Sequence, residues 1–137
     1  MDIGYYKLAK QINGLFHYAE VHLEKVDVFT LPMVQVAKGA FAWLKDDYGP
    51  DAWEWAICDD YRQGAIQGVQ YALDNVGKGM AFQKVGILIT TIKSHPAHGT
   101  VYSVAFAACM ATWTLLEVDG ISHPYFQGEK LVFPSLP

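Results

Sequence analysis

Hydrophobic and polar positions alternate from Leu15 to Val26, with Ala19, Val21 and Leu23 on one side and Glu20, His22 and Glu24 on the other. A period of two predicts a strand with one packed face. The period then lengthens. Thr30 and Pro32 open a segment whose apolar stripe is Val34, Ala37, Phe41 and Leu44. This spacing predicts a helix, with Thr30 as cap and Pro32 in the first turn, where a missing N–H costs little. Asp46, Asp47, Tyr48, Gly49 and Pro50 supply turn chemistry at its end. The short apolar run Trp53 to Cys58 predicts a second strand. Asp59 or Asp60 then caps a helix with the stripe Ile66, Val69, Leu73 and Val76, and Gly77 and Gly79 form its exit.

Lys84 to Lys93 predicts a third strand, buried on both faces, because Val85, Ile87 and Ile89 alternate with Gly86, Leu88 and Thr90. A loop, Ser94 to Gly99, leads to an apolar helix from Thr100 to Leu116, closed by Gly120. The order strand, helix, strand, helix, strand, helix gives an α+β class, a two-layer arrangement of one sheet with helices on one face. Residues 1–120 are expected to form a single domain. Residues 121–137, with Pro124, Pro134 and Pro137, form a C-terminal tail, either an extended arm on a neighbour or a loose end.

Composition narrows the function classes. The 137 residues are 52% hydrophobic and 18% charged, so the chain can build a packed core and disorder throughout is excluded. Thr100 to Leu116 carries no charge, yet it falls short of the roughly 20 apolar residues a membrane span needs. A helix apolar on all sides is buried in its own domain or between subunits, so a homo-oligomer and no membrane contact are expected. The net charge of −4 disfavours a nucleic-acid partner. Cys58 and Cys109 lie inside apolar runs, the pattern of buried, reduced thiols in a cytoplasmic protein, and no charged-then-apolar leader opens the chain. No Gly-x-Gly-x-x-Gly follows a strand, which disfavours dinucleotide binding.

His22 is the residue best placed for chemistry. Positions two apart on a strand share a face, so Glu20 and Glu24 flank it. Nearby carboxylates favour the imidazolium and keep an acid available near neutral pH, able to donate a proton to a leaving hydroxyl. The alternative is a solvated polar strand face. His95 and His98, with His123 or His22, could in principle hold zinc or nickel, but Pro96 prevents a helix that presents both rings together. A surface turn is the simpler reading, and no metal is assigned. Neither cysteine has electropositive sequence neighbours that would activate a thiolate.

The chain resembles the formaldehyde-activating enzyme family, which joins formaldehyde to tetrahydromethanopterin. The resemblance rests on Ile3-Gly4 at the start, His22-Leu23-Glu24 in the first strand, and Pro32 with Lys38-Gly39 in the segment after it. It continues through Ala65-Ile66-Gln67-Gly68-Val69 and Ala72, Val85-Gly86-Ile87-Leu88-Ile89, His95-Pro96, Tyr102 and Ala105 to Ala111. Tyr61 to Leu116 also resembles the fourth domain of elongation factor G. Both families share the fold of the second domain of ribosomal protein S-five. The resemblance implies a lyase of one-carbon metabolism, with a reduced pterin such as tetrahydromethanopterin as co-substrate. It implies His22 as general acid, Glu24 and Glu20 as substrate-binding residues, and a site between subunits. The family's stretch between second strand and second helix is longer than here, where Cys58 and Tyr61 nearly adjoin. That shortening motivates an alternative, a non-catalytic oligomeric binding or scaffold protein of the same fold. A third reading, a ribosome-associated domain with Ser94 to Gly99 inserted into RNA, runs against the net charge of −4.

Overall fold

The structure, a computed structural model, describes residues 3–12, 15–27, 34–49, 57–75, 85–94, 100–117, 123–127 and 130–134. Its elements in chain order are β1 (Ile3–Ile12), β2 (Leu15–Asp27), β3 (Val34–Val36), α1 (Trp43–Tyr48), α2 (Ile57–Asp74), β4 (Val85–Ser94), α3 (Val101–Leu116), β5 (Tyr125–Gln127) and β6 (Lys130–Val132). The main sheet has the order β1-β2-β4-β3, and β5 and β6 form a separate hairpin. β2 pairs antiparallel with both β1 and β4, whereas β3 runs parallel to β4. The α+β class holds, with α2 and α3 layered against a mixed four-stranded sheet.

The alternation in β2 has the expected effect. Ala19, Val21 and Leu23 are fully buried, as are Ile87, Ile89 and Ile92 of β4, and they meet Ala65, Val69, Val104, Ala108 and Leu115 in one core. Each of the Val, Leu and Ile side chains removed from water contributes roughly 1.5–3 kcal/mol. β4 is not buried on both faces, because Leu88, Thr91 and Lys93 stay partly exposed on the side away from the helices.

Three expectations are corrected. β1 lies in a segment given no element from sequence: its inward positions are Gly4, Tyr6 and Leu8, and Ile3 and Tyr5 point outward, so hydrophobic contrast is weak. The predicted helix over Val34 to Leu44 is instead β3 followed by turns and the short α1. Val34, Phe41 and Leu44 are nevertheless buried, so the apolar positions were right and the period was wrong. Cys58 belongs to the first turn of α2 rather than to a strand, with Asp59 and Asp60 beside it where carboxylates favour the helix dipole. Thr30, Pro32, Trp53, Trp55, Gly77, Gly79 and the loop holding His95 and His98 lie outside the described residues.

α3 begins where expected. Thr100 is extended, with φ −135° and ψ 167°, and its hydroxyl accepts the Ser103 N–H at 3.1 Å. The helix stops at Leu116, before Gly120, with Glu117 left-handed at φ 56°. Its small residues permit close packing on α2. Its hydroxyls are satisfied locally, Thr112 donating to the Ala108 carbonyl at 2.8 Å and Thr114 to that of Met110 at 2.9 Å. In the tail, β5 and β6 fold back onto this chain: Phe126 packs on Phe106, and Phe133 on Tyr71.

Candidate functional site

Strand register assembles a polar row on the sheet face opposite α2 and α3. β1 sets Tyr5 against His22 and Lys7 against Glu20, while β4 sets Thr91 against His22 and Lys93 against Glu20. The register jumps between His22 and Leu23, so Thr90 and Thr91 together oppose His22, a β-bulge. Thr90 Oγ1 donates to the His22 carbonyl at 3.2 Å. The extra residue lets Ile89 and Ile92, three positions apart, both face the core.

Glu20 is the hub of the row, with a side chain only 17% exposed. Its Oε1 accepts the Tyr18 hydroxyl at 2.7 Å and has Lys7 Nζ at 3.8 Å, and its Oε2 lies 3.8 Å from His22 Nε2. The Tyr5 ring rests against the imidazole, centroids 4.5 Å apart and planes at 53°. Lys93 reaches outward to Asp47 at 3.4 Å and over the Trp43 ring at 5.8 Å. The Trp43 indole donates to the Ile92 carbonyl at 2.7 Å, tying α1 to the edge of the row.

These contacts have electrostatic consequences. Burial, then the hydrogen bond to Glu20 and its charge, pushes the Tyr18 phenol well above the ordinary tyrosine value. Burial and the Glu20 charge raise Tyr5 in the same direction. Both phenols therefore remain proton donors through neutral and mildly alkaline pH. The arrangement offers a carboxylate, an imidazole and two phenols within one patch, with the imidazole 39% exposed on the open face.

Of the residues singled out from sequence, Glu20 is brought to His22. Glu24 lies on the same face of β2 but stands opposite Ile3 and Leu88 and is exposed. Tyr5 and Lys7 were missed, because cross-strand partners cannot be paired without the register. Tyr18, two positions before Glu20 on β2, shares its face by the same alternation and was missed without that excuse. His17 was missed as well. It is 2% exposed on the inward side of β2, its Nδ1 lies 3.2 Å from Ser103 Oγ, and its ring lies 4.5 Å from that of Phe126. Its odd-numbered place in the series with Ala19 and Val21 was the available signal. Among the described residues no three His, Cys, Asp or Glu side chains gather as a metal site, and no helix is long and apolar enough to cross a membrane.

No protein-family model matches the chain, and no curated protein is similar to it. Among solved structures, the chain is similar to the crystal structure of ttk003000868 from Thermus thermophilus, with a TM-score of 0.56 and 16% identity. The match covers 85% of this chain and 15% of that one, so the chain spans a small part of its neighbour's length. At this identity the likeness speaks for the fold alone.

Proposed function

We propose that the chain is a formaldehyde-activating-enzyme-like protein, acting on formaldehyde or a related carbonyl together with a reduced pterin such as tetrahydromethanopterin. The observation that carries this reading is the His22 imidazole set between the Tyr5 ring and the Glu20 carboxylate. In the proposed reaction an amine of the pterin attacks the carbonyl carbon, forming a C–N bond and a carbinolamine. His22 gives its proton to the carbinolamine hydroxyl, the C–O bond breaks, and water leaves as the nitrogen lone pair closes to an iminium. Glu20 orients the imidazole, and exposed Tyr5 offers a flat ring for the planar pyrimidine part of the pterin to lie against. Glu24, further along the same face, is proposed to contact the substrate. The reading includes a cytoplasmic setting, in keeping with Cys58 and Cys109 as buried thiols outside any disulfide, and self-association of the chain.

The test mixes formaldehyde and tetrahydromethanopterin with the wild-type, His22→Ala and Glu20→Gln proteins. Acceleration over the protein-free rate, reduced about 10²-fold or more in His22→Ala, is the expected result. Equal rates for wild type and His22→Ala remove His22 from the chemistry.

A second reading has its own observation. With 39% of its side chain in solvent, His22 competes with bulk water as a proton donor, which suits a non-catalytic oligomeric binding or scaffold protein of the same fold. This reading expects no acceleration by wild type and no saturable uptake of the pterin at micromolar concentration.

A further inference from the structure

We infer that Tyr18 is a positioning residue for His22, acting through Glu20. The inference rests on the proposed proton transfer from His22 and adds to it a residue that touches no reacting atom.

Tyr18, Glu20 and His22 hold alternate positions of β2 and so project from one face of the sheet. The Tyr18 hydroxyl donates to Glu20 Oε1 at 2.7 Å, the short distance of a charge-assisted bond. Lys7 Nζ lies 3.8 Å from the same oxygen, while Oε2 lies 3.8 Å from His22 Nε2. The two oxygens thus have separate partners: Oε1 takes the anchors and Oε2 faces the imidazole. A carboxylate turns about one terminal bond, so whatever fixes Oε1 also fixes Oε2. Tyr18 is the firmer anchor. Lys7 is 47% exposed and stands beyond hydrogen-bond distance. Tyr18 is partly buried, and its carbonyl accepts the Ser94 hydroxyl at 3.2 Å, which pins its backbone to the end of β4.

Two features separate this role from a purely structural one. The bond joins residues two apart on one strand, so it ties no two elements together, and its loss leaves the sheet pairing in place. Lys7 Nζ also lies over the Tyr18 ring, 5.7 Å from its centroid, a contact that phenylalanine retains. The hydroxyl alone can therefore be removed. It is a constant donor as well. Burial first, then the bond to Glu20 and its charge, then Tyr5 and Asp47, raise the phenol well above the ordinary tyrosine value. The hydroxyl keeps its proton throughout the range in which imidazoles titrate. Without it, the Glu20 charge remains but its carboxylate turns on Lys7 alone, and the His22 ring spends less time in one orientation.

The test compares full-length wild type, Tyr18→Phe, Glu20→Ala and the double variant in the assay with formaldehyde and tetrahydromethanopterin. Tyr18→Phe is expected to lower kcat about 10-fold and to leave KM for the pterin within about twofold, because orientation is lost and binding is not. The double variant is expected to match Glu20→Ala, since the hydroxyl has nothing to act through once the carboxylate is gone. A second readout needs no substrate. Ring–ring nuclear Overhauser contacts between Tyr5 and His22, whose centroids lie 4.5 Å apart, are expected to weaken in Tyr18→Phe, and to be no weaker in the double variant than in Glu20→Ala. A wild-type kcat in Tyr18→Phe overturns the inference, as do losses that multiply in the double variant. Ring contacts unchanged in Tyr18→Phe overturn it too, even where wild type proves inactive, a result that by itself removes only the functional reading.

Discussion

Gly68 of α2 lies directly against the Ala105 carbonyl of α3. A methyl group at Gly68 would run into that oxygen and stand 3.0 Å from the Ala108 methyl. Gly64, one turn earlier, faces Val101 in the same way, so two glycines four apart set the distance between the long helices. Gly68→Ala gains helix propensity of about 1 kcal/mol but forces a backbone shift. We expect a net loss of roughly 1–3 kcal/mol in denaturant unfolding. Gly39→Ala, where nothing lies within 4 Å, serves as the control and should leave the midpoint nearly unchanged. Equal midpoints for Gly68→Ala and wild type would show that the helices can separate at little cost.

Much of this packing was legible in the chain itself. The parity of β2 assigned Ala19, Val21 and Leu23 to the core and Glu20, His22 and Glu24 to the other face, because those three apolar residues alternate with three ionisable ones. α3 was legible for the same reason, an uncharged run with Thr100 at its cap. β3 was not. It has three residues, and Val34, Ala37, Phe41 and Leu44 are spaced so that strand, turns and α1 together imitate one helix. β1 was hidden by Gly4, an inward position with no side chain, chosen by the closeness of Leu115 rather than by hydrophobicity. The site suffered most, since Tyr5 and Lys7 reach His22 and Glu20 only through the register of β1 on β2, which periodicity does not encode.

Trp43 ties α1 to β4 by a single buried indole N–H, donated to the Ile92 carbonyl at 2.7 Å. Trp43→Phe keeps most of the ring and removes the donor, leaving the carbonyl without it. A loss of about 1–3 kcal/mol is expected, read by thermal unfolding. The Lys93 ammonium, which lies over the same ring, would lose the stronger cation–π partner. Unchanged stability would mean that water takes the indole's place.

Cys109 lies on α3 against Tyr71, Ala72 and Trp113, and burial pushes its thiol up to about 12. Thiolate is the reactive form, so native protein at pH 8 should not react at Cys109 with an aromatic disulfide reagent over hours. Reaction should appear only across the unfolding transition in denaturant. Prompt labelling of Cys109 in native protein, located by peptide mapping, would contradict the packing of α2 on α3.

The raised Tyr18 phenol gives a test of the polar row that needs no substrate. Burial is the largest cause, and the hydrogen bond to Glu20 and its charge come next, ahead of Tyr5 and Asp47, so Glu20→Gln should bring the phenol part of the way back toward the ordinary value, followed by its ultraviolet absorbance. The sign for stability follows from the same shift. A phenol whose folded value exceeds its unfolded one adds stability below the unfolded value of about 10, and that stability is lost as pH rises toward the folded value. Wild type should therefore lose stability more steeply above pH 10 than Tyr18→Phe, which has no proton to give up. Parallel slopes for the two proteins would place Tyr18 outside the hydrogen-bonded row. The Glu20 carboxylate would then be held by Lys7 and His22 alone.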